Sequence, residues 1–122
     1  MVKIREDIIK YIENQYNVSP EYTFTKFPNY CIFRHKENRK WFGIIMNTPR
    51  EKIYGEGKEE IDIIDLKIEP ELITILKGKK EYFSAYHMNK EHWISVDLSK
   101  INNDNMNEVK HLIDDSFNLT KK

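Results

Sequence analysis

The stretch Tyr30-Cys31-Ile32-Phe33-Arg34-His35-Lys36-Glu37-Asn38-Arg39-Lys40-Trp41-Phe42-Gly43-Ile44-Ile45-Met46-Asn47 decides the fold. Tyr30–His35 is rich in β-branched and aromatic residues, which suit a pleated surface. Trp41–Asn47 is apolar on both faces, as a strand covered on both sides would be. The polar run Lys36-Glu37-Asn38-Arg39-Lys40 between them reads as a hairpin loop, so the two strands run antiparallel.

Upstream, Tyr22–Lys26 alternates weakly and reads as another strand, ended by a break at Pro28-Asn29. Before it, Ile4, Ile8, Ile9, Ile12 and Tyr16 recur at helical spacing, with Lys3, Glu6, Lys10 and Glu13 on the other side. Asn17 and Ser19-Pro20 end that amphipathic helix. Downstream, Thr48–Gly57 reads as a loop holding Pro49, Gly55 and Gly57. Ile63–Ile68 then alternates, with Ile64, Leu66 and Ile68 inward and Asp65 and Lys67 available to solvent or partners. Pro70 suits the start of a short helix whose buried face is Leu72, Ile73 and Leu76, with Gly78 as its cap. After a long connection, His92–Leu98 reads as a strand: Ile94, Val96 and Leu98 share one face, Trp93 and Ser95 the other. Asn103 or Asp104 can cap the last helix, whose core stripe is Met106, Val109, Leu112, Ile113 and Phe117. The order describes an α+β fold in two layers, an antiparallel sheet of about five strands with helices packed on it.

A chain of 122 residues without repeats or low-complexity tracts reads as one domain, 1–122. Lys+Arg and Asp+Glu both number 20. Affinity for nucleic acid comes largely from neutralising phosphates, so a nucleic-acid face would require these balanced charges to segregate onto one side. Cys31 is the only cysteine, which rules out an internal disulfide and a four-cysteine zinc site. The first residues become charged without the apolar stretch of a signal peptide, and no run approaches the roughly 18 apolar residues of a membrane span. The expectation is a reduced, soluble, cytoplasmic protein with no membrane partner.

Tyr86-His87-Met88-Asn89-Lys90-Glu91-His92-Trp93 stands out, because aromatic rings, imidazoles, an amide and an ammonium crowd one loop directly before a strand. Loops held by rigid elements are where binding chemistry tends to sit. This run resembles the signature of the YjbR/MmcQ family. Further matches are Phe27-Pro28-Asn29-Tyr30, Arg34-His35 with Lys40-Trp41-Phe42, Leu66-Lys67, Pro70-Glu71-Leu72 and Ile113-Asp114-Asp115-Ser116-Phe117. They follow in order along nearly the whole chain. The resemblance implies a two-layer α/β architecture with an antiparallel sheet, of the frataxin-like (CyaY-like) type. It also implies a DNA-binding label resting on a "double wing" fold analogy.

The residues themselves exclude several chemistries. His87 and His92, with Cys31 and His35 elsewhere, offer no convincing third zinc ligand, so no metal and no cofactor is expected. Frataxin-like iron binding would need an acidic first helix, whereas Glu6, Asp7 and Glu13 are interleaved with Lys3, Arg5 and Lys10. Cys31 lies among apolar strand residues, where a small buried thiol is the ordinary outcome. Ser84 and Ser95 lack a nucleophile-elbow context, and Gly55-Glu56-Gly57 lacks the third glycine of a phosphate loop. The chain is therefore expected not to be an enzyme.

What remains is a basic and aromatic pattern. Arg34, Lys36, Arg39, Lys40 and Trp41 mark the hairpin; Tyr86, His87, Asn89, Lys90, His92 and Trp93 mark the signature loop. If both share a face, Lys and Arg can contact phosphates while aromatic rings stack on exposed bases. The leading expectation is thus a non-enzymatic DNA-binding domain. Two other readings stay open: a protein-interaction or chaperone-like module using the sheet face or edge, and a small-ligand domain with a pocket at the same loop.

Overall fold

The computed structural model describes residues 4–121. The first apolar periodicity becomes α1 (Ile4–Tyr16), which buries Ile8 and Ile12 and leaves Glu6, Lys10 and Glu13 exposed. Lys3 lies outside the described residues. Asn17, at φ 55°, closes the helix in the left-handed region that asparagine enters more readily than most side chains.

Five strands follow: β1 (Cys31–Arg34), β2 (Trp41–Pro49), β3 (Glu60–Lys67), β4 (Tyr82–Ser84) and β5 (Trp93–Asp97). They form one sheet in the order β1-β2-β3-β5-β4, antiparallel at every pairing. The helices α2 (Glu51–Tyr54), α3 (Pro70–Leu76) and α4 (Met106–Leu119) complete the α+β architecture, with a 3-10 turn at Leu98–Lys100.

One sheet face packs on α1, α3 and α4. Phe33, Ile45, Ile64, Leu66, Ile94 and Val96 from the strands meet Ile8, Ile12, Ile73, Val109, Leu112 and Ile113 from the helices. The opposite face carries Tyr30, Ile32, Ile44, Met46, Ile61 and Ile63. Phe24, Ile53, Tyr54, Tyr86 and Met88 cover it, drawn from two loops and the short α2. Both faces of β2 and β3 are therefore removed from water, which is why their sequences read as apolar almost throughout.

A bulge joins the two layers. Phe33 pairs with Gly43 but Arg34 pairs with Trp41, so Phe42 is the extra residue of β2. The shift turns Phe42 into the helix-side core and leaves Trp41 on the other face. Phe42 and Lys67 are not partners in the β2–β3 ladder. The Ser116 hydroxyl of α4 fills the gap: it donates to the Phe42 carbonyl at 2.6 Å and accepts the Lys67 N–H at 2.9 Å.

Several local expectations are corrected. Tyr22–Lys26 is not a strand; only Glu21 bridges to Ile32, and the segment turns back on itself through Phe27 N–H to Phe24 O and Tyr30 N–H to Phe27 O. Thr48–Gly57 contains α2, which Gly55 ends at φ 84°. The long connection before β5 holds β4, whose three residues are too few to show a period. Lys77 rather than Gly78 caps α3, and Asn105 rather than Asn103 or Asp104 precedes α4. Asp65 does not face solvent: its side of β3 is the second buried face, and it is 0% exposed.

Candidate functional site

The strand register sets out the second face row by row. Arg34 and Trp41 pair at one end, and Lys67 pairs with Trp93 at the same end. The next row runs Ile32, Ile44, Asp65, Ser95 and Phe83. Below it lie Met46, Ile63 and Asp97. Two carboxylates thus stand in the middle of an apolar sheet. Asp97 is satisfied: it accepts the Tyr54 hydroxyl, the Ser99 N–H at 2.9 Å and the Ser99 hydroxyl at 2.6 Å. Asp65 is not. One of its oxygens accepts the Ser95 hydroxyl, and the other has no partner among the described residues. Burial pushes its carboxyl up to about 8, against the smaller opposing pulls of Ser95 and the Lys90 ammonium.

The signature loop is fastened above this carboxyl. The Tyr86 N–H donates to Ser95 Oγ at 2.8 Å, so loop, serine and Asp65 form one hydrogen-bonded chain. Lys90 Nζ donates to the Ala85 carbonyl at 3.0 Å. Asn89 organises the turn: its side-chain oxygen accepts the Glu91 N–H at 2.8 Å, and its carbonyl accepts the Trp93 N–H at 2.9 Å. His87 takes φ 68°, a conformation uncommon outside glycine, and its ring packs 3.9 Å from that of Tyr86. His87, Asn89, Lys90 and His92 are exposed, Tyr86 is half-buried and Trp93 is 9% exposed.

The hairpin lies at the same end of the sheet. Lys36, Arg39 and Lys40 are exposed. The guanidinium of Arg34 is clamped by the Glu21 carboxylate through contacts of 2.6 to 3.0 Å, so it is neutralised at the base of the hairpin. That clamp holds the Glu21 carboxyl below its usual value. Trp41 is half-buried, edge-on to Phe24 at 6.2 Å. The two loops leave opposite sides of the sheet, with β3 between them. Three inter-strand spacings separate their midlines by roughly 14 Å.

Tyr86 also reaches the lower half of the face. There it lines a concavity of about 300 Å³ together with Phe27, Asn29, Tyr30, Thr48 and Lys52. Phe27 stacks on Tyr30 at 4.6 Å, and the Thr48 hydroxyl lies 3.5 Å from that of Tyr86. Burial raises the Tyr30 hydroxyl, with Tyr86, Glu60 and Asp65 adding to the effect. The candidate contact residues do not include this pocket apart from Tyr86. The match at Phe27-Pro28-Asn29-Tyr30 was its one legible trace.

A five-stranded antiparallel sheet with α1, α3 and α4 on one face, loops and the short α2 on the other, and two polar-aromatic loops at one end together define an α+β domain with a recognisable kindred. The family model described as YjbR matches residues 14–119. The uncharacterized protein YyaQ of Bacillus subtilis (strain 168) is 45% identical over 117 residues, covering 96% of this chain and 98% of that protein. A Pseudomonas syringae protein of known crystal structure superposes with a TM-score of 0.89 at 44% identity, covering 95% of this chain and 97% of that one. Deinococcus radiodurans protein DR2400 shares the fold at a TM-score of 0.70 and 16% identity, covering 97% of this chain and 78% of that one. The chain belongs to the YjbR family.

Proposed function

We propose that this chain is a non-enzymatic binding domain that contacts DNA through the hairpin and the signature loop. The observation that carries the reading is that both cation-bearing loops project from one end of the sheet. Lys36, Arg39 and Lys40 are exposed on one side; His87, Lys90 and His92 are exposed on the other. Lys36, Arg39 and Lys40 outweigh Glu37 in the hairpin, while Glu91 offsets Lys90 in the signature loop. In a chain with no net charge, the hairpin therefore supplies the positive charge at this end and the signature loop adds polar donors to a phosphate backbone. Arg34 is neutralised by Glu21 at the base of the hairpin and adds no net charge to this surface. Trp41 and Trp93 form the platform beneath.

Partner-strand addition is less well supported. The edge strands are only four and three residues long, and Glu21 already occupies part of the β1 edge.

Fluorescence anisotropy with mixed-sequence single- and double-stranded DNA at two salt concentrations tests the proposal. Binding should weaken with salt, log K falling by about 0.9 per phosphate contact for each decade on duplex DNA. A Lys36→Ala, Arg39→Ala variant should flatten that slope by up to about 1.8. Absence of binding at low salt, or a slope unchanged in the variant, refutes the reading.

A further inference from the structure

The pocket beneath Tyr86 is built differently from the cationic end, and its chemistry is more selective. Its walls are aromatic: Phe27 stacks on Tyr30, and Tyr86 faces them as a further lining ring. Phe27 remains 49% exposed although it is stacked, so one apolar ring surface is left open at the rim. Polar residues complete the lining: the Thr48 and Tyr86 hydroxyls lie 3.5 Å apart, and Asn29 and Asn47 stand beside them. Three charged groups line it: Lys26, Lys52 and Glu60. Glu60 accepts a hydrogen bond from the Asn47 amide at 3.0 Å rather than from either lysine. The charged lining therefore sums to one positive charge, which matches a monoanion better than a dianion. At about 300 Å³ the concavity sits at the lower end of the range for small-molecule sites, the size of a single ring with short substituents.

We infer that this pocket binds a small aromatic monocarboxylate. The ring lies against Phe27 and Tyr86, and the carboxylate is met by Lys52 and Lys26. A ring hydroxyl would complete the set by bonding Thr48 or Tyr86, replacing the long contact between those two hydroxyls. Phe27–Tyr30 and Tyr86, from two stretches that carry the family resemblance, line it together. The site does not depend on DNA binding, since apart from Tyr86 it uses none of the proposed contact residues.

Titration of the full chain with 4-hydroxybenzoate, followed residue by residue through amide chemical shifts, tests the site. Saturable shifts should centre on residues 26, 27, 29, 30, 47, 48, 52 and 86. Acetate (charge without ring), phenol (ring without charge) and phenyl phosphate (ring with a second charge) should each bind at least several-fold more weakly. Lys52→Ala should weaken 4-hydroxybenzoate by about tenfold, the effect of one charge-assisted hydrogen bond. Lys36→Ala should leave it unchanged. Absence of saturable shifts at millimolar ligand, equal binding of acetate, or an unchanged affinity in a Lys52→Ala protein with native amide dispersion each overturns the assignment.

Discussion

Replacing Asp65 by asparagine isolates the cost of a buried carboxyl. Burial raises its pKa from 3.8 to about 8, so the folded protein keeps a proton that the unfolded chain has already released over that interval. The stability contributed by this group is fully present below about pH 4 and is lost as pH rises through 8. About four units at ~1.36 kcal/mol each amount to roughly 5 kcal/mol, a large share of the 5–15 kcal/mol typical of a domain. Asparagine cannot ionise and can still accept the Ser95 hydroxyl. Its amide nitrogen would occupy the position of the unpartnered oxygen, at a cost of about 1–3 kcal/mol. Asp65→Asn should therefore lie within about 1 kcal/mol of the parent at pH 5 and be more stable by roughly 3 kcal/mol at pH 9. Urea unfolding at both pH values measures this. His35, whose pKa burial lowers, destabilises both proteins equally on acidification and cancels in the difference. A difference that does not change with pH refutes the reasoning, because Asp65 would then be ionised in the folded state with Lys90 as its partner. Lys90→Met supplies the complementary test: losing the ammonium should deepen the alkaline loss of the parent protein.

Ser116→Ala should cost about 2 kcal/mol in the same assay, since it strands the Phe42 carbonyl and the Lys67 N–H at the bulge; a loss below 0.5 kcal/mol would mean that the strands close the gap themselves. The Cys31 thiol is buried, and burial raises its pKa, so it should resist an aromatic disulfide reagent at pH 8 until urea unfolds the chain. Rapid labelling of the folded protein would contradict that burial. Glu21→Gln should change stability by less than about 1 kcal/mol, because the pair it breaks is partly exposed. The same substitution releases the Arg34 guanidinium, so it should strengthen DNA binding at low salt and steepen the salt dependence by up to about 0.9. An unaltered slope would mean that Arg34 points away from the bound phosphates.

Much of the fold is legible because its elements carry strong periods. The apolar residues of α1 and α4 recur at helical spacing, and the apolar runs of β1 and β2 flank a polar loop. Elements with weak local signals were missed. β4 has three residues and α2 has four, lengths at which no period can appear, so both are specified by what they pack against. Tyr22–Lys26 shows the converse: its weak alternation loses to consecutive turns that satisfy its amides locally and fold Phe24 onto the sheet.

The candidate site divides along the same line. Residue types alone place chemistry in the hairpin and the signature loop, because cations and imidazoles crowded beside aromatic rings are rarely needed for a core. Their placement at one end of the sheet depends on strand order, and strand order depends on long-range pairing that no local pattern encodes. The same holds for Arg34, which reads as a free cation until Glu21 is brought beside it, and for Asp65, whose alternation with Leu66 and Ile64 points it toward water. Alternation tells which residues share a face; only the assembled loops decide whether that face is wet. Here Phe24, Tyr54, Tyr86 and Met88 close over it, so a carboxyl that sequence periodicity would expose is held in the dry centre of the sheet.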